Sequence, residues 1–543
     1  MIKVVSVARM REIEAAANAA GISYATMMHN AGTATAERIV KLIGDRNDIR
    51  VTVLIGPGNN GGDGLVAGRL IAEKSTAQVR FYMLKQRADD DPNYLAAREA
   101  GLFFALAEDD QRYRVLQNMI ATTDILLDAL FGIGIKLPLR DNAAALLQTV
   151  NQVLAESGKP ETDQIITVAP ATPAHIERHR PYVMAVDCPS GLDCDTGEID
   201  QNAIQADETI TFIAAKPGLL RFPGAAHIGR LTVSTVGVPD DLPELKQEPF
   251  ILVTSDDVRR RLPQRPQNAH KGTFGKVMIV AGSGDYIGAA GLAARAAYRV
   301  GAGLVTVATE KNIINTLASQ QLETTWMSLD NTRPEEQAAD IARRLDTYDA
   351  LLIGPGWGQA NQTRDLLHHL LGQDRLSQIP VVIDADGLSL LAEIDGWWRH
   401  LSEQTVITPH SGEMARLCRL DVATVQESRE ELACERAAEW GFTVILKGAH
   451  SIIAVPDGRM AALPFKTDSL AKAGTGDVLA GMLVGLVGQG MPSFDAALTA
   501  AYLHGLAGIE AARQLKSSRS VLAGDVVENI SRALAAVTGQ EAI

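Results

Sequence analysis

Val51-Thr52-Val53-Leu54-Ile55-Gly56-Pro57-Gly58-Asn59-Asn60-Gly61-Gly62-Asp63-Gly64 runs from a β-branched stretch straight into a cluster of glycines. The first five residues read as a buried strand, and Leu65 to Lys74 beyond the glycines reads as a helix. Glycines at 56, 58 and 61 match the dinucleotide-binding spacing in the setting it requires, after a strand and before a helix. Glycine allows a tight turn and close backbone approach to a pyrophosphate, and a helix N-terminus favours an anion. A purely structural turn accounts for the spacing equally well, so the reading depends on what surrounds it.

Outward from this loop the chain alternates. Val7 to Ile43 reads as two helices broken around Gly21. Val79 to Leu84, Ile125 to Leu127, Val183 to Val186, Thr209 to Ala214 and Leu231 to Val236 read as strands. Strand runs alternating with helical stretches imply a mostly parallel sheet covered on both faces. Pro239 to Gln267 is punctuated by proline and charge, which suits a connection between domains. The alternation then restarts. Lys276 to Val280, Leu304 to Ala308, Ala350 to Ile353, Val381 to Ile383, Val406 to Ile407 and Val444 to Leu446 read as strands, Gly288 to Val300 as a helix, and Ala473 to Val487 as a glycine loop entering a buried helix. The polar, proline-containing stretch 152–180 reads as a surface insertion.

The chain has 543 residues, which at roughly 100–200 residues per domain predicts two to four domains. Its net charge of −14 and the lack of any Lys/Arg-dense run argue against a nucleic-acid partner. The four cysteines form no Cys-x-x-Cys pair and have no histidine cluster beside them, so zinc and a disulfide framework are not expected. Val478 to Gly488 is about half the length needed to span a bilayer, and the N-terminus has no signal-peptide core. A cytoplasmic protein with no membrane or nucleic-acid partner is expected, as is a homo-oligomer.

Two features of the first half depart from a plain dinucleotide fold. The second strand ends at Lys85, with Arg87 nearby, rather than at an acidic residue for a ribose hydroxyl; these bases suit either a 2′-phosphate or a solvated turn. Asn59, Asn60 and Asp63 add polar groups that a phosphate does not need, so Asp63 should face something else. Two further strands end in carboxylates, Asp128 and Asp187, and strand C-terminal ends share one crevice in an open sheet. Asn60, Asp128 and Ser190 could form an oxygen cage for a hard cation, and Asp187 could be an acid/base. A helix cap explains any one aspartate, but explains their coincidence less well.

In the motifs Gly56 to Gly64, Asp128 to Gly134 and Asp187 to Leu192, this half resembles the NAD(P)H-hydrate epimerase family, also known as the YjeF N-terminal domain. The resemblance implies a three-layer α/β/α, Rossmann-like domain over residues 1–240, with Asp187 catalytic. It implies a hydrate site lined by Asn59, Asn60, Gly61, Gly62, Asp63, Gly132, Ile133, Gly134, Ile135, Lys136, Leu137, Pro138 and Asp187, and a potassium ion on Asn60, Asp128 and Ser190. His29, where an acidic residue is more usual, Cys188, where an aliphatic is usual, and the stretch 152–180 depart from the pattern.

In the second half, Lys472-Ala473-Gly474-Thr475-Gly476-Asp477 precedes the apolar run Val478 to Val487. Consecutive backbone N–H groups at a helix start make an anion hole. Asp477 at that entrance can take a proton from a hydroxyl attacking phosphorus; an ordinary first-turn aspartate is the plain alternative. The arrangement resembles the ribokinase-like superfamily. With the loops Ala281 to Ala290, Ile353 to Gly358, Ile383 to Leu388, Thr408 to Glu413 and Leu446 to Ser451, it is similar to the ADP-dependent NAD(P)H-hydrate dehydratase family. The resemblance implies a second α/β/α domain over 268–543, after a connection at 241–267. It puts Ala290, Gly356, His410 and Asp477 at the hydrated nucleotide, and Lys447, Gly448, Ala449, His450, Ser451 and Gly476 at the adenine nucleotide. Taken alone, His410 is as well explained by a core or capping role.

Together the resemblances imply an α/β enzyme that repairs hydrated NADH and NADPH. One half would interconvert the R and S epimers. The other would dehydrate the S form while ADP becomes AMP and phosphate, with magnesium on the nucleotide phosphates. A ribokinase-like kinase for a vitamin alcohol, and a first half that only binds ligand, remain as alternatives.

Overall fold

After a two-residue strand, β1 (Ile2–Lys3), and two helices, Val7–Ala19 and Tyr24–Ile43, the chain enters the expected strand, β2 (Arg50–Ile55). Gly21, at φ +100°, divides the two helices, and the Ser23 hydroxyl accepts from the Thr26 N–H to start the second. The computed structural model describes residues 1–157, 180–329 and 333–539; of the stretch 152–180 read as an insertion, 158–179 lie outside the described residues. Two compact units are present, Ile2–Glu248 and Pro249–Ile543. No helix among the described residues is long and apolar enough to cross a membrane.

In the first unit β2 is joined by β3 (Gln78–Met83), β4 (Phe103–Leu106), β5 (Ile125–Ala129), β6 (Tyr182–Val186), β7 (Glu208–Phe212) and β8 (Arg230–Ser234). The order is β4-β3-β2-β5-β6-β7-β8, with every pairing parallel. Side chains alternate across this sheet. Val51, Val53 and Ile55 join a core with Ile39, Leu65 and Ile71 on one face, and Leu54 and Leu126 join Leu116, Met119 and Leu147 on the other. Burial on both faces is why these strands read as near-continuous apolar runs. Strand order reverses between β2 and β5, the place where open sheets of this kind hold ligands.

The second unit contains β9 (Phe250–Leu252), β10 (Lys276–Val280), β11 (Leu304–Thr309), β12 (Thr325–Ser328), β13 (Ala350–Ile353), β14 (Val381–Ile383), β15 (Val406–Ile407), β16 (Thr443–Leu446), β17 (Ile452–Ala454) and β18 (Met460–Ala462). They run in the order β9-β18-β17-β16-β15-β14-β13-β10-β11-β12. The strands from β12 to β16 are parallel, and β17 is antiparallel to both of its neighbours. The helix Thr475–Gly488 is buried along nearly its whole length and lies against the helix Ile287–Arg299. A Cβ at Gly481 would stand 2.2 Å from the Ala293 carbonyl oxygen.

Two expectations change. The stretch 241–267, read as a connection, holds a strand and two short helices, Pro243–Lys246 and Ser255–Arg259. Phe250-Ile251-Leu252 pairs with β18, an apolar triplet that the surrounding prolines and charges conceal. The first glycine loop is also shorter than it reads, because the helix begins at Asn59 rather than Leu65.

Candidate active sites

The early helix start follows from glycines used for close packing. A Cβ at Gly56 would stand 1.7 Å from the Leu130 carbonyl oxygen, and one at Gly61 would stand 2.0 Å from that of Gly56. A Cβ at Gly64 would stand 2.5 Å from the Ala129 Cβ. These contacts draw the first turn of the helix against the end of β5, so Asn60 projects at the switch point. Arg87 is fixed to the same loop: it donates to the carbonyls of Gly56 (3.1 Å) and Gly58 (2.9 Å) and to Asp91 (2.6 Å). Of the two roles its sequence suggested, a free 2′-phosphate binder and a turn residue, its partners match the turn.

Asp128, fully buried at the end of β5, accepts from the Ser190 hydroxyl (2.6 Å) and backbone N–H (2.7 Å). Burial pushes its pKa up to about 6, against the lowering effect of these hydrogen bonds. Neither Lys nor Arg is among its described partners. Asn60 is also buried, and neither atom of its amide has a hydrogen-bond partner among the described residues. A buried carboxylate without a counter-charge, a serine hydroxyl and an unsatisfied amide oxygen are donors that fit a hard monovalent cation.

Asp187 follows β6 with φ +66°, a left-handed conformation that aims its carboxylate along the crevice. One oxygen accepts from Lys216 Nζ (2.8 Å) and the Thr211 hydroxyl (3.0 Å). The other faces the Ile133 N–H (3.4 Å) and Gly132, where a Cβ would come within 3.1 Å of it and 3.4 Å of Asn60. Gly132 thus separates Asn60 from Asp187. Burial opposes the charge on Lys216, but Asp187 outweighs it and raises the lysine's pKa. Burial, then the fields of Asp187 and Glu14, push the Asp63 carboxyl well above its usual range. Glu14 is raised by burial and by Asp187 as well. Asp63 therefore faces other carboxylates and favours its protonated form.

Among the remaining expected residues, Gly134 lies 3.8 Å (from its Cβ position) from the Arg11 guanidinium, and the Ile135 N–H bonds the Gly132 carbonyl. Asn59, Gly62 and Lys136 stand in the same two segments, with Gly62 pressed on Met28. Leu137 and Pro138 border a cavity of about 640 Å³, but its walls are Glu198 to Gln201 and Pro223 rather than Asn60 or Asp187. Cys188 is buried, and a neighbouring Cys194 and burial push its thiol up. Lys216, Thr211, Arg11 and Glu14 escape the sequence reading. Only Lys216 leaves a trace there, as a lysine directly after the apolar run Ile213-Ala214-Ala215.

In the second unit the ends of β13 to β16 bring Gly354, Asp384, His410 and Lys447 to one edge. Lys447 Nζ donates to Asp384 (2.6 Å) and stands 3.7 Å from Glu413. Burial disfavours its charge, but Asp384 and Glu413 outweigh this and raise its pKa. A Cβ at Gly476 would stand 3.6 Å from both Asp384 and Lys447, so the glycine loop overhangs this pair. Gly474, at φ +90°, opens the helix Thr475–Gly488 with no side chain capping it, leaving backbone N–H groups for an anion. Burial first, then Asp384, lift Asp477 to about 7 although Lys447 pulls the other way.

His410 caps the helix Ser411–Cys418. Its Nδ1 accepts from the N–H groups of Gly412 (2.9 Å) and Glu413 (3.3 Å), so the neutral ring carries its proton on Nε2. Burial, Lys447 and Arg416 hold its pKa below the usual value. A cavity of about 540 Å³ is walled in part by His410, Lys447, Gly448, Ala449, Ser451 and Gly476. His450 is not on that wall: its ring is buried, with Nδ1 on the Leu463 carbonyl (2.9 Å). Ala290 is fully buried, and Gly356, at φ +56°, packs against Ala289; both stand at the β10–β13 edge, outside the cavity wall. Asp384, Glu413 and His504 are further polar groups here that the sequence did not single out.

Comparison with known proteins agrees with a division into two parts. The family described as YjeF-related protein N-terminus matches residues 24–218, and the family described as NAD(P)H-hydrate dehydratase matches residues 277–532. The bifunctional NAD(P)H-hydrate repair enzyme Nnr of Moorella thermoacetica is 37% identical over 92% of this chain and 91% of its own length. Its counterpart in Thermofilum pendens is 34% identical over 94% of this chain and 92% of its own length. Among solved structures, the ADP/ATP-dependent NAD(P)H-hydrate dehydratase from Bacillus subtilis, co-crystallised with ATP and Mg2+, is 33% identical at a TM-score of 0.47 and covers 53% of this chain and 98% of its own.

Proposed function

The chain belongs to the family of bifunctional NAD(P)H-hydrate repair enzymes, and from that premise we propose that it epimerises hydrated NADH and NADPH in residues 1–240 and dehydrates the S epimer in residues 268–543. The observation that carries this reading is the pair of aspartates, Asp187 buried and Asp477 half-buried, each at the strand-end edge of its own sheet beside a glycine loop.

The hydrated carbon bears both oxygen and nitrogen, so its configuration is lost when either bond opens, and each opening moves a proton at the hydroxyl. Asp187, with one oxygen fixed by Lys216 and Thr211, offers the other to that proton. The lining assigned to Asn59–Asp63 and Gly132–Pro138 would hold the nicotinamide nucleotide. Asn60, Asp128 and Ser190 would hold a potassium ion, which supplies the positive charge Asp128 lacks.

In the second half the hydroxyl is a poor leaving group until it is phosphorylated. Asp477, lifted to about 7, takes the hydroxyl proton as the oxygen attacks the terminal phosphorus of ADP, and the N–H groups from Gly474 onward receive the phosphoryl charge. AMP leaves, and loss of phosphate together with a proton from the neighbouring ring carbon then restores the reduced ring. Magnesium would neutralise the nucleotide phosphates, with Asp384 and Asp386 as the hard oxygen donors on offer. Lys447 to Ser451 and Gly476 would bind the nucleotide, and Ala290, Gly356 and His410 the hydrate. Four free cysteines suit a reducing, cytoplasmic setting.

The test is recovery of reduced-nicotinamide absorbance from a mixture of hydrate epimers supplied with ADP or ATP. Full recovery is expected. Accumulation of a stable phosphorylated alcohol without recovered absorbance would instead identify a kinase.

A further inference from the structure

The 540 Å³ cavity of the second unit combines the polar groups Lys447 and Gly476 with an apolar wall that includes Leu463, Phe465 and Leu479. One face of the helix Ser493–Leu515 completes it with Ala501, His504 and Gly505. The approach is close: a Cβ at Gly505 would stand 2.2 Å from the Phe465 ring. A cavity with a flat apolar flank beside a phosphate loop suits a purine base.

His504 is 8% exposed on this wall, and its Nε2 has no hydrogen-bond partner among the described residues. The ring is bonded to the Thr475 backbone carbonyl. A carbonyl only accepts, so the nitrogen facing it, Nδ1, carries the ring's proton and Nε2 presents a bare lone pair. Burial holds the ring neutral, with its pKa down to about 4. A buried acceptor with nothing to accept from is costly. The nearby Lys447 ammonium already donates to Asp384, and nucleotide phosphates have no proton to offer at neutral pH.

We infer that His504 Nε2 accepts a hydrogen bond from the 6-amino group of adenine and makes this site selective for adenine over 6-oxopurine nucleotides. The inference rests on reading the cavity as the nucleotide site. A 6-oxopurine would turn an oxygen lone pair toward the histidine lone pair, so the same contact that rewards adenine rejects its oxo analogue.

The test is calorimetric titration of the intact chain with ADP and with IDP, both with magnesium. The wild type is expected to bind ADP about 10–100-fold more tightly, the range of a buried hydrogen bond made or lost. His504→Leu should weaken ADP binding and strengthen IDP binding, together by about that factor, bringing the ratio close to one. His504→Gln should keep part of the preference, since its NH2 can bond the Thr475 carbonyl while its oxygen accepts from adenine; it carries the test if the leucine variant does not fold. Equal losses for both nucleotides in His504→Leu would mean that the lone pair meets a sugar hydroxyl, and would overturn the inference. A wild-type ratio close to one, or an unchanged ratio in the variants, would overturn it too. A wild type that binds neither nucleotide would overturn the nucleotide-site reading itself, a different result from bound nucleotides without discrimination.

Discussion

Two aspartates at strand-end edges are set to work differently by their neighbours. Asp477 is lifted to about 7 by burial and by Asp384, so its base form fills only as pH rises through that value. Dehydration should therefore fall about tenfold per unit below pH 7, and a rate flat from pH 5 to 8 would remove Asp477 as the base. The same shift has a stability consequence. An acid whose folded pKa is raised holds its proton more tightly when folded. Its contribution is therefore full below the unfolded carboxyl range and is lost as pH rises through about 7. Asp477→Asn should accordingly abolish dehydration yet raise the second unit's melting temperature more at pH 8 than at pH 5; a loss of stability at pH 8 would contradict this. Asp187 is governed instead by Lys216. Lys216→Met should slow epimerisation about tenfold or more, because it frees the Asp187 oxygen now held at 2.8 Å, and leave dehydration untouched; an unchanged epimerisation rate in the folded variant would remove Lys216 from the site. Asp187 and Asp477 were singled out in the sequence because Asp187 ends an apolar strand run and Asp477 stands between a glycine loop and an apolar helix run. Lys216 was not: it meets Asp187 across 29 residues, and only the pairing of β6 with β7 brings them together. His504 was hidden for a related reason, since a lone histidine on an apolar helix reads as core.

At the scale of elements, glycine decides how near a helix comes to its neighbour. Gly481 lets the helix Thr475–Gly488 approach the helix Ile287–Arg299, where an added Cβ would meet the Ala293 carbonyl oxygen at 2.2 Å and its Cα at 2.7 Å. Gly481→Ala gains about 1 kcal/mol of helix propensity, but a backbone clash cannot be relieved by a rotamer change, and overpacking costs about 1–3 kcal/mol. Net destabilisation is expected, read by calorimetry as a lower transition for the second unit with the first unchanged. A higher transition would show that propensity outweighs the clash. The same use of glycine explains which elements were legible. The parallel strands at the centre of each sheet read plainly from β-branched runs buried on both faces. The start of the helix at Asn59 did not, because three glycines among residues 59–64 argue against a helix by propensity, while their close contacts with Gly56, Met28 and Ala129 favour one. β9, β17 and β18 are three residues each and lie at the end of the sheet that includes the antiparallel β17, outside the strand–helix alternation that made the equally short β14 and β15 legible.

At the scale of the whole molecule, each unit closes a core of its own. The apolar clusters of the first draw only on residues up to Leu245, and the large cluster of the second only on residues from Ile251 onward. The polar constellations divide in the same way: every hydrogen-bond partner named for Asp187 lies within Ile2–Glu248, and every group named around Asp477 lies within Pro249–Ile543. Two chemically independent centres follow. Asp187→Ala should abolish interconversion of the epimers while the S form is still dehydrated. Asp477→Ala should do the reverse, and each loss should be about a hundredfold or more, the usual contribution of a positioned acid or base. Feeding each variant a mixture of epimers with ADP, and following both species by chromatography, separates the cases. The Asp187 variant should consume one epimer and strand the other. The Asp477 variant should keep the two in equilibrium and regenerate little cofactor. An equimolar mixture of the two variants should then recover the full conversion, because the substrate is a diffusible nucleotide that either centre can take from solution. If either substitution removed both activities from a folded chain, or if the mixture failed to complement, the centres would not be independent.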